Sequence, residues 1–497
     1  MKRTHFFVYS KMCVMALTGA SALFLASCAR DGFDPESFSG GVSNTQMTAL
    51  SADDITITAS ADGKSQTITW PVIMGAGGYR VTLIDTSNAA EPIVNDSIVD
   101  GCTITAKREE DVNYKLTILT LGNARLNNSD AAEAAEKTFS TFTPTYMAIP
   151  AGSDLNAWFA ANPVPADKAG QNLNYDLEGG ATYTVSAELD FDGQPVTLRS
   201  TSKTNHAKVV YTAAESAISF AAALNVKYLD FDCSATPATS SGGVFGFSKA
   251  PTVEPDATWG FVIIKDPVTF VNCNFKGVNG YFFTDNRKDQ KVAAVTMLVD
   301  NCVVELTPST QNNGGVFWTN KGGHINNLTV SNSTFYNRGE GDVKYFYQAG
   351  MYRAKDIGLG GTGTDQGGPG NSLTYQSCTF YRIGHNGGQW GNYNGMQGKA
   401  DSFWTMKDCI FYACSAGGGV PRRFLHGQTY QSYPGNKQFA NNTYMQADGT
   451  FDNVGDYDQS GTQIEQDPQF KDAANGDFTV GGATQLSRKT GDPRWLP

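Results

Sequence analysis

The sequence predicts an all-β protein, a long parallel β-solenoid preceded by a smaller β-sandwich, and three observations lead there. A strand–corner–strand pattern returns at intervals of 29, 31, 45, 31 and 33 residues through the later part of the chain, which is the signature of stacked supersecondary units. The composition, with 53 Gly and 11% aromatic against 17% charged residues, suits strands and turns better than helices. At 497 residues the chain exceeds one ordinary core, so two or more domains are expected.

The repeat is clearest in Val268–Gly280, VTFVNCNFKGVNG. With Asn272 as index, Val268 and Phe270 stand four and two residues before it, and Cys273 and Phe275 one and three after. The same template fits around Asn301, Asn332, Ser377 and Asp408, and more loosely around Asn441. Apolar residues two apart share one strand face, so Asp300, Ser331, Gln376 and Lys407, just before the index, should face out. At the index a small polar residue tolerates the left-handed region and turns the chain onto a second inward-facing strand. A β-sandwich would need this parity to recur by accident.

The first 28 residues read as a leader. Lys2, Arg3 and Lys11 form a basic start, and Met12–Leu25 is apolar but interrupted by Thr18, Gly19 and Ser21, too short for a membrane span. Leu25-Ala26-Ser27-Cys28 resembles the lipobox of bacterial lipoproteins. The resemblance implies lipidation of Cys28, which with two or three acyl chains would hold the protein on a membrane, and residues 29–50 would form a flexible tether. The acidic residues behind the cysteine resemble surface-export signals of Bacteroidetes lipoproteins. A formal net charge of −11, more negative once the leader's three cations are removed, argues against nucleic-acid binding. Seven cysteines follow Cys28. Cys273, Cys302, Cys378 and Cys409 all stand one residue after the index, and the odd total points to buried free thiols, not a disulfide framework.

Residues 51–145 read as a separate sandwich, with alternating strands around Ile55–Ile57, Thr67–Trp70, Tyr79–Leu83 and Tyr114–Ile118. ITWPVIMGAGGYRVTL resembles the B and C strands of a fibronectin type III domain, which implies that Trp70 is a core residue and that the module is a spacer or docking unit. Residues 150–497 are expected to form the solenoid, with room for roughly ten coils. Ser153 and Asp154 can cap a short helix from Leu155 to Ala160, a candidate lid over the first strand edge. Leu173–Leu177 and Thr182–Val185 should be strands of the first coils, and VKYLDFDC at Val226–Cys233 a weaker copy of the corner.

The tail contains DPQFKDAANGDFTV and GDPRW. Together with the strand–NC–strand repeats it resembles the pectate-lyase-like right-handed β-helix lipoproteins of Bacteroidetes, with domains of the DUF4957 and DUF5123 type. That resemblance implies an outer-membrane, cell-surface protein of a polysaccharide-utilisation system, with outer-membrane glycan-uptake proteins as partners. The catalytic segments of β-helix glycosidases are not found. The Arg422-Arg423 pair suggests a lyase base but lacks that family's spacing.

The densest polar–aromatic cluster is Arg382, His385, Trp390 and Tyr393, with Tyr352 and Arg353 in the insertion before it and Arg422 and Arg423 after it. Flat aromatic faces and guanidinium groups suit a uronate-containing glycan. The expected function is glycan binding, with a polysaccharide lyase and a structural or adhesive surface protein as alternatives. No cofactor is required by this set. Ca²⁺ is a candidate at Asp365, Asp452, Asp456 and Asp458, and His206 and His324 read as structural.

Overall fold

The apolar parity of the strands determines where each goes. The computed structural model describes residues 42–497 except 62, 237–242, 286–290, 311, 351–369, 394–401 and 427–428; Cys28, Tyr352, Arg353 and Asp365 therefore lie outside the described residues. The chain divides into two compact units between Thr143 and Pro144. In the first, strands 56–59, 65–69 and 103–107 form one antiparallel sheet, and strands 94–99, 76–85, 113–122 and 135–140 form another. Ile68, Val81, Leu83, Tyr114, Leu116 and Ile118 fill the core between them, and Trp70 packs edge-on against Tyr79 with ring centroids 5.5 Å apart.

The second unit is a parallel β-helix, whose three sheets hold eleven, nine and seven strands among the described residues. The coils up to strand Gly391–Tyr393 visit the sheets in the same order: Leu173–Leu177 in sheet I, Thr182–Val185 in sheet II, Glu188–Asp190 in sheet III, then Val196–Ser200 in sheet I again. Sterics of twisted strands make such crossovers right-handed. The index residues form the corner from sheet I to sheet II. Asn272, Asn301, Asn332, Ser377, Asp408 and Asn441 have φ of 50°, 53°, 48°, 52°, 55° and 53°, and Tyr228 in the weaker copy has 59°. Each corner's N–H reaches the carbonyl before the next corner, as in Asn272 to Asp300 (2.9 Å) and Asn301 to Ser331 (3.1 Å).

Like stacks on like inside the coils. The rings three residues after the index form a ladder, with Phe231 on Phe275 (5.0 Å), Phe380 on Phe411 (5.0 Å) and Phe411 on Tyr444 (5.5 Å). The four index-plus-one cysteines are buried, and all seven cysteines among the described residues are free. Burial pushes the Cys302 and Cys378 thiols well above their ordinary value. Alkylation of the native protein, read by mass spectrometry, should therefore mark half-buried Cys102 and spare these four until the chain is unfolded.

The helix Leu155–Ala161 starts at Asp154, whose carboxylate accepts from the N–H of Ala157 at 2.9 Å. It lies over the first strand edges of sheets II and III: Asp154 accepts from the Thr184 hydroxyl at 2.9 Å, and Asn156 donates to the Glu188 carbonyl at 3.1 Å and accepts from the Ser186 N–H at 3.0 Å. The short strand Met147–Ile149 extends sheet I beside Leu173–Leu177. The helix also closes the end of the apolar column, with Leu155 fully buried and Phe159 against Tyr175 and Phe191 at 4.9 and 5.0 Å. A strand edge needs hydrogen-bond partners, which the added strand supplies to sheet I and the helix cap and Asn156 supply to the first strands of the other two sheets.

The corner makes a stability prediction. Asn301 donates to Asn272 at 3.2 Å and accepts from Arg494 at 2.6 Å. Asn301→Val should lower stability by about 1–3 kcal/mol, because a β-branched residue resists positive φ and both hydrogen bonds vanish. Its outward neighbour Asp300 is not inert, since it accepts from Ser331 (2.6 Å) and Asn332 (2.8 Å) of the next coil. Asp300→Ala should cost about 1 kcal/mol. Thermal melts of the two variants check the order.

Candidate functional site

Trp390 and Tyr393, expected as an exposed glycan platform, are core residues. Both are 0% exposed. Trp390 stacks flat on Phe346 (4.6 Å, 8°) and meets Phe380 and Phe411 edge-on, each at 4.9 Å. Tyr393 packs among Tyr347, Trp404 and His426. Strand Gly391–Tyr393 belongs to sheet III, beside Tyr347–Ala349 of the preceding coil, so its aromatics continue the internal ladder. Glycine-rich flanks suggest a loop by composition, but burial of two large rings outweighs that local preference.

Arg382 and His385, in contrast, do come together, at the corner from sheet II to sheet III. Arg382 follows strand Thr379–Tyr381 with φ of 56° and donates its own N–H to the Tyr412 carbonyl at 3.0 Å. Its guanidinium donates to His385 Nε2 at 3.0 Å. The opposite ring nitrogen, Nδ1, lies 3.1 Å from Asp342 Oδ1 and 2.9 Å from the Arg382 carbonyl. These contacts assign the ring proton to Nδ1 and leave the Nε2 lone pair for the guanidinium. Asp342 is buried and also accepts the N–H groups of Val343, Gly384 and Asn386 at 2.8, 3.1 and 2.9 Å. This carboxylate, which the sequence did not single out, ties the Arg382–Gln389 loop to the coil before it. The signal was an acidic residue directly before a strand, in GEGDVKYF, too common in turns to stand out.

The next coil stacks its own turn on this loop. The N–H groups of Ser415, Ala416 and Gly417 reach the carbonyls of Ile383, Gly384 and Gly388 at 2.8, 3.0 and 2.8 Å. A Cβ at Gly417 would lie 2.5 Å from the Gly387 carbonyl oxygen, so only glycine fits there. The short helix Val420–Phe424 follows and carries Arg422, exposed, and Arg423, half-buried. Arg423 donates to the Gly417 carbonyl at 3.1 Å. Desolvation, and then the neighbouring charge of Arg422, push its guanidinium below the ordinary arginine value. Burial and the Arg423 charge likewise lower His426.

Arg382, Arg422 and Arg423 share one property: among the described residues none has a carboxylate partner. Arg338 on the same corner differs, because Glu305 holds it at 3.2 Å. In a chain of net charge −11, guanidinium groups without acids to neutralise them, one on this loop and two on the helix that follows the next coil's turn, suit an anionic ligand.

Of the candidate Ca²⁺ ligands, Asp452 and Asp458 have protein partners. Asp452 accepts from the Val420 N–H and from Gln446, both at 2.6 Å, and burial raises its carboxyl. Asp458 accepts from the Tyr444 hydroxyl at 2.8 Å. Among the described residues no three His, Cys, Asp or Glu side chains converge as a metal site. His206 pairs with Asp230 at 2.8 Å, and His324 is buried beside Asn371 at 3.0 Å.

Residues 1–188 match DUF4992, residues 181–338 match DUF4957 and residues 373–495 match DUF5123, each described as a domain of unknown function. No curated protein matches the chain. Among solved structures, a pectate lyase from Erwinia chrysanthemi aligns at 12% identity over 61% of this chain and 81% of its own, with a TM-score of 0.18. The same enzyme in complex with tetragalacturonic acid aligns at 12% identity over 61% and 79%, with a TM-score of 0.13. The chain therefore carries a DUF4957 and a DUF5123 domain, in that order, along its parallel β-helix.

Proposed function

We propose that this chain is a surface lipoprotein, anchored in the outer membrane through Cys28, that binds uronate-containing, pectin-like polysaccharide for a glycan-utilisation system. The observation that carries the binding role is that Arg382, Arg422 and Arg423 are three guanidiniums without carboxylate partners among the described residues. A guanidinium pairs with a carboxylate through two parallel hydrogen bonds, and a uronate polymer presents carboxylates at regular intervals. The N-terminal sandwich serves as a fibronectin type III-like spacer; its three-plus-four antiparallel strand order supports that assignment. Outer-membrane glycan-uptake proteins are the partners this role requires.

Affinity electrophoresis of the soluble protein in polygalacturonate gels, with and without Ca²⁺, tests the reading. Retention is expected for the wild type and should fall at least tenfold in the Arg382→Gln/Arg422→Gln double variant. A wild type that migrates freely in both gels would overturn it and leave a structural or adhesive role. The adjacent Arg422 and Arg423 on the helix Val420–Phe424 favour a second reading, a lyase in which Arg423 takes the proton alpha to the uronate carboxylate. Ultraviolet absorbance from an unsaturated product, lost in Arg423→Lys, would separate lyase from binder.

A further inference from the structure

The outer face of sheet II divides into two parts. Over the later coils the chain's own tail covers it. Phe478 packs on Tyr336 and Tyr381 at 5.3 and 5.5 Å, Asp492 accepts from Thr334 at 2.7 Å, and Arg494 reaches the Asn301 carbonyl at 2.9 Å. The coils before Asn301 carry no such cover among the described residues. There a bay of about 280 Å³ opens on the bare sheet, near the small end of the ~300–1,000 Å³ usual for small-ligand pockets.

Strand register builds the bay. Lys208, Asp230 and Asn274 stand side by side on successive coils, and Val210, Asp232 and Lys276 form the row beside them. After Lys276 the register to the following coil shifts between Phe275 and Val278, where Gly277 has φ of 70°. Such a bulge bends a strand and re-aims its side chains. Neither the Lys208 nor the Lys276 ammonium makes a hydrogen bond or salt bridge among the described residues, although each faces an aspartate one coil away and the Lys208 charge acts on Asp230. Asp230 is held by His206 Nδ1 at 2.8 Å and Asn274 at 2.7 Å. Burial raises its carboxyl, but these two hydrogen bonds outweigh that and leave it below the ordinary aspartate value.

We propose that this bay is a second saccharide subsite and that it takes a neutral, hydroxyl-rich sugar unit, not a uronate. Two carboxylates offer acceptors to sugar hydroxyls, two ammoniums and the Asn274 amide offer donors, and the opposite charges balance. A uronate would gain from the lysines and lose as much to the aspartates; a polyol uses both. Val210 supplies apolar surface against the sugar's C–H face. The inference rests on the glycan-binding reading for the kind of ligand, but on none of the arginines that carry that reading.

The test is affinity electrophoresis of the intact soluble chain in gels of galactan, of arabinan and of polygalacturonate. The wild type should be retained by at least one of the two neutral glycans. Asp232→Asn/Lys276→Met should weaken that retention at least tenfold and leave polygalacturonate retention and the melting temperature unchanged. Asn keeps the acceptor that receives the Ser234 N–H at 3.1 Å, so the turn survives the change. Free migration of the wild type in both neutral gels, or equal retention of wild type and variant, overturns the proposal. Loss of polygalacturonate retention in the arginine variant alone would bear on the other corner and not on this bay.

Discussion

Trp390→Ala is expected to lower the stability of the β-helix by about 3–5 kcal/mol. The side chain lies wholly inside the apolar column and touches rings of four neighbours: Phe346, Phe380, Phe411 and Tyr375. Removing it leaves a cavity that spans three coils. Ridged stacks of this kind cannot collapse easily, because each ring is also held by the coil above and below. Trp390→Phe retains most of the contacts. It also removes an indole N–H that is buried without an acceptor among the described residues, so its cost should stay under about 1.5 kcal/mol. Urea unfolding of the two variants measures the difference. Equal, small effects would mean that the ring stands outside the core.

Asp342→Ala should be comparably large, about 3–5 kcal/mol, and should abolish polygalacturonate retention as well. One buried carboxylate satisfies three backbone N–H groups and the His385 ring. Alanine strands the three backbone donors and leaves the His385 ring only the Arg382 carbonyl, and the loop that aims Arg382 loses its tie to the previous coil. His385→Gln is the informative companion. It loses only the link between Asp342 and Arg382, so it should weaken retention while the melting temperature moves by a few degrees at most. Circular dichroism melts and affinity electrophoresis on the same samples separate the two effects. If His385→Gln unfolds the chain, the network serves the fold alone.

The β-helix was legible because its information is periodic. Small polar residues at the corners, cysteines one position later and phenylalanines two further on repeat with the same parity, and parity alone decides which side of a strand a residue occupies. Trp70 was legible for the same reason, standing at the end of an alternating run. The bay at Lys208 and Asp230 was implicit in that code as well. Asp230 and Asp232 are two and four residues after Tyr228, and Asn274 and Lys276 stand likewise after Asn272, all on the outward parity. What the sequence lacked was which coils would be left uncovered by the tail.

Only the tertiary structure decided the insertion-bearing flank. Between Tyr381 and Tyr393 the period fails, and with it the means of telling inward from outward. Trp390 and Tyr393 went inside because column space beside Phe346 and Tyr347 was there to be filled, a long-range fact that no local pattern carries. Asp342 and His385 are 43 residues apart and meet because successive coils stack their turns. Local sequence determines the side of a strand; the stacking of coils determines which side chains meet, and it left Arg382, Arg422 and Arg423 without acidic partners among the described residues.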